Sequence, residues 1–158
     1  MAVTFNTASN TFYAVSNADD IFSSSDGQTW TSVGSFSSAS SAQWITSLSS
    51  TNLALALNAT QASILVSTNS GSSFATATLP STTTSEIRHI RKLIQNLTVA
   101  VGQANGAFLW WTTSDVGLTW TASMALSFNS GSPTYIYDVA SNNNPSFPVY
   151  VMITDVGI

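Results

Sequence analysis

The sequence predicts an all-β fold built from one repeated four-stranded antiparallel unit, and three observations carry that reading. A box of hydroxyl, small polar residue, glycine, hydroxyl and aromatic occurs at 23–30, 67–74 and 113–120, with its glycines at Gly27, Gly71 and Gly117, 44 and 46 residues apart. A fixed period of roughly 40–50 residues is the mark of a repeat architecture. Around each box the apolar residues alternate with a period of two, as strands require. No stretch of the 158 residues shows a convincing helical period.

The elements follow in the same order in each unit. A first strand falls at 3–5, 44–48 and 87–94. A second begins at Asn10, Asn52 and Asn96 and runs to Val15, Leu57 and Val101. A third, at 20–23, 63–67 and 107–112, leads into the box. A fourth leaves it at 29–33, 73–79 and 118–125. Turn residues separate the strands at 17–19, 58–60 and 102–106. The segment 53–57 tolerates a helix by propensity, but its alternation and its counterparts favour a strand.

A four-stranded unit of this length matches the blade of a β-propeller. The boxes resemble the Asp-box, or BNR, repeat of the sialidase-like propeller superfamily, Ser/Thr-x-Asp-x-Gly-x-Thr-Trp. Thr113, Asp115, Gly117, Thr119 and Trp120 match every defined position. Aligned on the glycines, the first box offers Ser23, Asp26, Gly27, Thr29 and Trp30, with Ser25 at the usual Asp place. The second offers Ser67, Asn69, Gly71 and Phe74, with Asn for Asp and Phe for Trp. The resemblance implies a hairpin turn between the third and fourth strands, a fold element rather than a catalytic one. The chemistry agrees. Asp or Asn folds its side chain onto nearby N–H groups, glycine supplies a positive φ, and the aromatic anchors the turn.

Asp155-Val156-Gly157 near the end matches Asp115-Val116-Gly117, 40 residues on, with strands expected at 135–139 and 149–154. The chain therefore reads as a partial propeller of about three and a half blades, with repeats at 1–35, 42–80, 86–127 and 133–158. A closed propeller has typically four to eight blades. The expectation is that a continuation of the chain, another subunit or a larger assembly covers the open edges.

Composition narrows the function classes. Charged residues make up 6% of the chain, net charge is −4, and Ser, Thr and Asn replace charge on the surface. That balance argues against a nucleic-acid partner. There is no cysteine, no apolar run long enough to span a membrane and no signal-peptide pattern. Asn58 and Asn96 fall in glycosylation sequons. No cofactor is expected, and the lone His89 has no second metal ligand at a telling spacing. Sialidase chemistry needs three arginines, a Tyr–Glu pair and an acid/base Asp. The chain has two arginines, Arg88 and Arg91, and one Glu, Glu86. An enzyme is therefore not expected.

Two groups stand out as candidate partner contacts. Arg88, His89, Arg91 and Lys92 hold all the basic side chains in one segment. Regular alternation would point Arg88, Ile90 and Lys92 one way and Ile87, His89, Arg91 and Leu93 the other. Their bland role is pairing with Glu86, Asp138 or a neighbour. Trp110 and Trp111 face opposite sides of a strand, one toward the core and one free to stack on a partner. The expected function is a non-catalytic structural or protein-interaction module of a virion, phage particle, fibre or extracellular surface assembly. Self-assembly or protein partners complete the ring. The alternatives are a lectin-like propeller that binds glycans and the N-terminal part of a sialidase-like glycoside hydrolase. Propeller assembly factors of photosynthetic membranes are similar in repeat type.

Overall fold

The computed structural model describes residues 1–38, 40–57, 63–79, 85–94, 97–104, 107–113, 115–121, 136–142, 144, 146 and 149–155. Every regular element among them is a strand. The first sheet has the order β1 (Ala2–Asn6), β2 (Thr11–Val15), β3 (Asp20–Ser24), β4 (Thr31–Ser35). The second repeats it with β5 (Ala42–Ser47), β6 (Leu53–Leu57), β7 (Ile64–Ser67) and β8 (Ala75–Thr76). The third contains β9 (Ser85–Ile94), β10 (Leu97–Ala104) and β11 (Ala107–Thr113). A bridge from Thr112 to Thr121 marks the start of its fourth strand. The fourth pairs β12 (Ile136–Ser141) with β13 (Tyr150–Thr154). All pairings within the sheets are antiparallel. The sheets are blades of a propeller, arranged as an incomplete ring. Their first strands stand side by side, β1 against β5, β5 against β9 and β9 against β12. The proposed fourth box ends at 156–158, outside the described residues, as do the sequons at Asn58 and Asn96.

Three apolar clusters lie between successive blades. Tyr13, Val15 and Ile21 of the first blade meet Ile45, Leu53 and Leu55 of the second. Ala54, Ala56 and Ile64 of the second meet Ile87, Ile90 and Ala100 of the third. Val99 and Val101 of the third meet Ile136 and Val139 of the fourth. Strand β6 shows why its sequence has no polar face. Leucines at 53, 55 and 57 point to the first blade, alanines at 54 and 56 to the third, and all five residues are buried. An antiparallel strand covered on one side alternates apolar with polar; a strand covered on both sides is apolar throughout, as β6 is.

The third blade departs from regular alternation. Its β9–β10 register shifts between Val101 and Gly102, which pair with His89 and Ile87. The extra residue in β9 puts Ile87 and Ile90 into the same cluster, whereas simple alternation sets them on opposite faces. A bulge carries no glycine or proline signal here, so the sequence pattern does not show it.

Polar side chains tie neighbouring first strands together. Asn6, buried at the end of β1, donates from Nδ2 to Ser49 O at 2.7 Å. Lys92 Nζ donates to Leu48 O at 2.7 Å, and Ser141 Oγ to Leu93 O at 3.2 Å. Each donor reaches a backbone carbonyl of the adjacent blade.

At the outer end, the first blade packs directly on the second blade's box. A Cβ on Gly34 would lie 2.3 Å from Gly71 O and 2.9 Å from Ser72 Cα, both backbone atoms. A Cβ on Gly27, φ +74°, would meet only the Phe12 ring, at 3.7 Å. Gly34→Ala is therefore expected to cost about 3 kcal/mol by overpacking, and Gly27→Ala about 1 kcal/mol from its left-handed φ. Urea denaturation of the two variants reads the difference.

Candidate functional site

The three boxes share one hydrogen-bonded core. In the third, Thr113 Oγ1 donates to Asp115 Oδ1 at 2.7 Å and accepts from Gly117 N at 3.2 Å. Asp115 then accepts the Thr119 N–H at 2.9 Å and the Thr119 hydroxyl. The second box repeats this with Ser67 Oγ to Asn69 Oδ1 at 2.9 Å, Gly71 N to Ser67 Oγ at 2.9 Å and Ser73 N to Asn69 Oδ1 at 3.0 Å. Asn69 Nδ2 also donates to Ser73 Oγ at 2.8 Å, so an amide replaces the carboxylate without loss of a bond.

The first box corrects the alignment on glycine. Ser24, not Ser23, supplies the hydroxyl: its Oγ donates to Asp26 Oδ1 and accepts from Gly27 N, both at 2.9 Å. Asp26 Oδ1 accepts from Gln28 N and Thr29 N at 2.8 Å. Asp26 is thus the box carboxylate, and no carboxylate is missing at Ser25. The hydroxyl–carboxylate spacing is two residues in all three boxes. The glycine follows one residue later in the first box and two residues later in the others. The residue omitted from the first box is the one with positive φ, Ser70 at 59° and Val116 at 58°.

These bonds set the carboxyl groups. The N–H groups of Thr29 and Gln28 and the Ser24 hydroxyl hold Asp26 down at about 2. Burial pushes Asp115 up, but the hydroxyl and N–H of Thr119 and the Thr113 hydroxyl outweigh it and leave the group lowered. All of this stabilises an anion inside a turn, through backbone N–H groups and neighbouring hydroxyls. The boxes position strands.

The glycines and aromatics of the boxes dock onto the preceding blade. A Cβ on Gly71 would lie 3.0 Å from Ile21 and 3.4 Å from Val33 of the first blade. On Gly117 it would lie 2.5 Å from Leu48 and 3.4 Å from Val66 of the second. Phe74 packs on the cluster between blades one and two, with Phe36 at 5.9 Å. Trp120 is buried between blades two and three, and its Nε1 donates to Gly117 O at 2.9 Å. Trp30 is the exception, at 37% exposed.

The reason lies on the outward face of the first blade. Hairpin registers align Phe12, Ala14 and Phe22 with Leu53, Leu55 and Leu65 of the second blade, counted from Ser24 and Ser67. The second set is buried against the first blade. The first set faces no blade among the described residues. With Met1, Ala2, Val3 and Trp30, the residues Ala14 and Phe22 line an apolar groove of about 570 Å³. The other end of the arc is similar: Tyr137, Val151 and Ile153 are 54%, 42% and 47% exposed on the face of the fourth blade turned away from the third. Sequence reasoning singled out Trp110 and Trp111 for contact and passed over this face. Alternation of Val3, Phe5, Phe12, Ala14 and Phe22 was the available signal. The side chains of Glu86, Trp110 and Trp111 are outside the described part of the structure.

The basic segment on β9 is engaged within the chain. Arg91 Nη1 lies 2.6 and 2.7 Å from the two Asp138 oxygens and donates to Val139 O at 3.1 Å. Lys92 reaches Leu48 O as described, and Arg88 has interactions of its own. The His89 ring lies against Trp44 with centroids 4.3 Å apart. Its Nδ1 is buried without a hydrogen-bond partner. Burial lowers its pKa; Asp138 opposes this, and Arg91 and Arg88 add to it. Among the described residues no cluster of three or more His, Cys, Asp or Glu could hold a metal ion, and no helix is long and apolar enough to cross a membrane.

Fold and site together define part of a β-propeller. No family model and no curated protein matches the chain. Among solved structures it is similar to YCF48 bound to D1 peptide, with TM-score 0.57 and 15% identity over 98% of this chain and 46% of that one. YCF48 from Cyanidioschyzon merolae gives TM-score 0.62 at 17% identity over 88% and 46%. NanB sialidase from Streptococcus pneumoniae gives 0.57 at 16% identity over 84% and 23%. At these identities the likeness is one of fold. The chain spans about half the length of the YCF48 chains and about a quarter of NanB.

Two pH responses follow. The Asp26 contribution is fully present above the ordinary carboxylate value of 3.8 and is lost as pH falls toward about 2. Asp26→Asn, which keeps the acceptor as Asn69 does, should fold and show a flatter loss of stability across that window in acid denaturation. His89 is held neutral, so folding weakens as pH falls below its ordinary 6.5, where the unfolded chain gains the proton. His89→Phe should remove that slope in melts taken from pH 7 to pH 5.

Proposed function

We propose that this chain is a non-catalytic propeller module that acts by burying its uncovered blade faces against protein. The observation that carries the reading is the apolar face of the first blade, whose counterparts in the second blade are already buried by the same kind of contact. Apolar patches of this kind on an otherwise polar surface mark interaction sites. A surface with few charges suits dense assembly, because little charge must be desolvated on contact. A virion or phage particle, a fibre or an extracellular surface layer is the setting that fits such a surface.

Two further observations support the reading. The sequence has two arginines, Arg88 and Arg91, against the three that sialidase chemistry needs, and Arg91 is held by Asp138. A YCF48 propeller of this fold holds a peptide, so the architecture is suited to protein contact.

The test is oxidative footprinting of the protein in its native assembly. Val3, Phe22 and Trp30 should be protected relative to the isolated chain, and a fluorogenic sialoside should not be hydrolysed. Equal reactivity of Trp30 in both states would sink the interaction reading. A glycan-array signal lost in Trp110→Ala or Trp111→Ala would replace it with the carbohydrate-binding one.

A further inference from the structure

We propose that the Asp26–Gly27 linkage is a site of spontaneous aspartyl isomerisation, and that the first box is its gate. The gate is closed while the turn holds both residues and opens when the turn lets go. This goes beyond the interaction reading and does not depend on it.

The site comes from the one departure of the first box. Its carboxylate is followed directly by glycine, whereas Ser70 follows Asn69 and Val116 follows Asp115. Asp26 is the only aspartate of the chain that precedes glycine. A glycine nitrogen has no neighbouring side chain to shield it. It can reach the side-chain carbon of the residue before it and close a small ring. Asp26 is exposed, so water has access to the carboxyl group.

The reaction needs only water and proton transfer. The Gly27 nitrogen attacks Cγ of the neutral Asp26 carboxyl group. An N–Cγ bond forms and a Cγ–O bond breaks. The nitrogen's proton and the departing hydroxyl leave together as water, and the ring is a succinimide. Water then opens the ring at either carbonyl. Opening at the former side chain restores aspartate. Opening at the former backbone leaves isoaspartate, with one more carbon in the main chain and no change of mass.

The closed box withholds both reactants. The Gly27 N–H donates to Ser24 Oγ at 2.9 Å. Asp26 Oδ1 accepts from Ser24 Oγ at 2.9 Å and from Gln28 N and Thr29 N at 2.8 Å. These bonds hold the carboxyl group toward residues 28 and 29 and favour its anion, with the pKa down at about 2. The anion is the form from which hydroxide does not leave. Ser24 is buried and binds both partners, so one opening frees nitrogen and carboxyl group together. Openings of a single turn are local events that precede global unfolding. Isoaspartate, once formed, lengthens the main chain inside the turn that leads to Trp30 and β4, and the turn cannot close as before.

The test incubates the chain at mildly acidic pH, in native buffer and in urea, and locates isoaspartate by peptide mapping with electron-transfer fragmentation. Mapping separates position 26 from Asn105-Gly106, where loss of the amide changes the mass. In urea, isoaspartate should accumulate at 26 and not at Asp115, whose neighbour is Val116. In native buffer, conversion at 26 should be slower by at least about tenfold. Ser24→Ala should speed the native reaction roughly tenfold and leave the rate in urea unchanged. Gly27→Ala loosens the turn through its positive φ but shields the nitrogen with a methyl group, and a Cβ there meets only the Phe12 ring. It should lower the yield in both media, where a purely structural effect would raise it in native buffer. Equal rates in native buffer and urea, no conversion at 26 in urea, or a native rate unmoved in folded Ser24→Ala would each overturn the inference. If Ser24→Ala does not fold, the contrast between native buffer and urea and the Gly27→Ala variant decide it.

Discussion

A sheet that is apolar on both faces must be covered on both faces, and this constraint governs the whole chain. Strand β6 states it most plainly, with Leu toward one neighbour and Ala toward the other and every residue buried. Such a sheet has no solvent face on which to end. It gains by stacking another like itself, and burial contributes roughly 25 cal/mol for each Å² of apolar surface removed from water. The repeat is therefore a device for propagating one interface. What differs between blades is how completely that interface is satisfied.

The boxes serve the same interface from the outer end. A hydroxyl and a carboxylate or amide two residues apart tie up the N–H groups of a tight turn. The turn then presents a glycine with no Cβ to the preceding blade. At Gly71 and Gly117 the neighbouring side chains stand where a methyl group would go. Local turn chemistry and long-range packing thus meet at one residue. The second box makes the separation of roles visible: Asn69 keeps the hydrogen bonds without the charge. The acceptor is needed, the anion is not. This supports a structural role for the motif and weighs against a catalytic one.

Much of this was legible in the sequence, and the exceptions have physical causes. The period, the four-strand unit and the box glycines follow from spacing and alternation alone. The hydroxyl of the first box did not, because Ser23, Ser24 and Ser25 are chemically identical and only the hydrogen bonds of Asp26 select among them. Counting back from the carboxylate rather than the glycine would have found Ser24, since the omitted residue lies between the two. The facing of Ile87 and Ile90 was hidden by a bulge with no residue signature. The basic segment drew attention because it concentrates the cations of a nearly uncharged chain. Asp138 is among the partners the sequence offers, and Arg91 pairs with it; the Leu48 carbonyl that holds Lys92 lies 44 residues away and leaves no local pattern.

The first blade's outward face was passed over for a different reason. Val3, Phe5, Phe12, Ala14 and Phe22 read as core in any pattern argument, and within a closed ring they would be core. What the pattern does not contain is whether the covering blade belongs to the same chain. Exposure of Trp30 beside burial of Trp120 is informative because both residues stand three places after the box glycine, and among the described residues only Trp120 has a blade in front of it. The repeat supplies its own control: the buried copies measure what the exposed copy lacks. An aromatic box residue that meets solvent in one blade and a neighbour in the next marks a joint whose other half lies elsewhere.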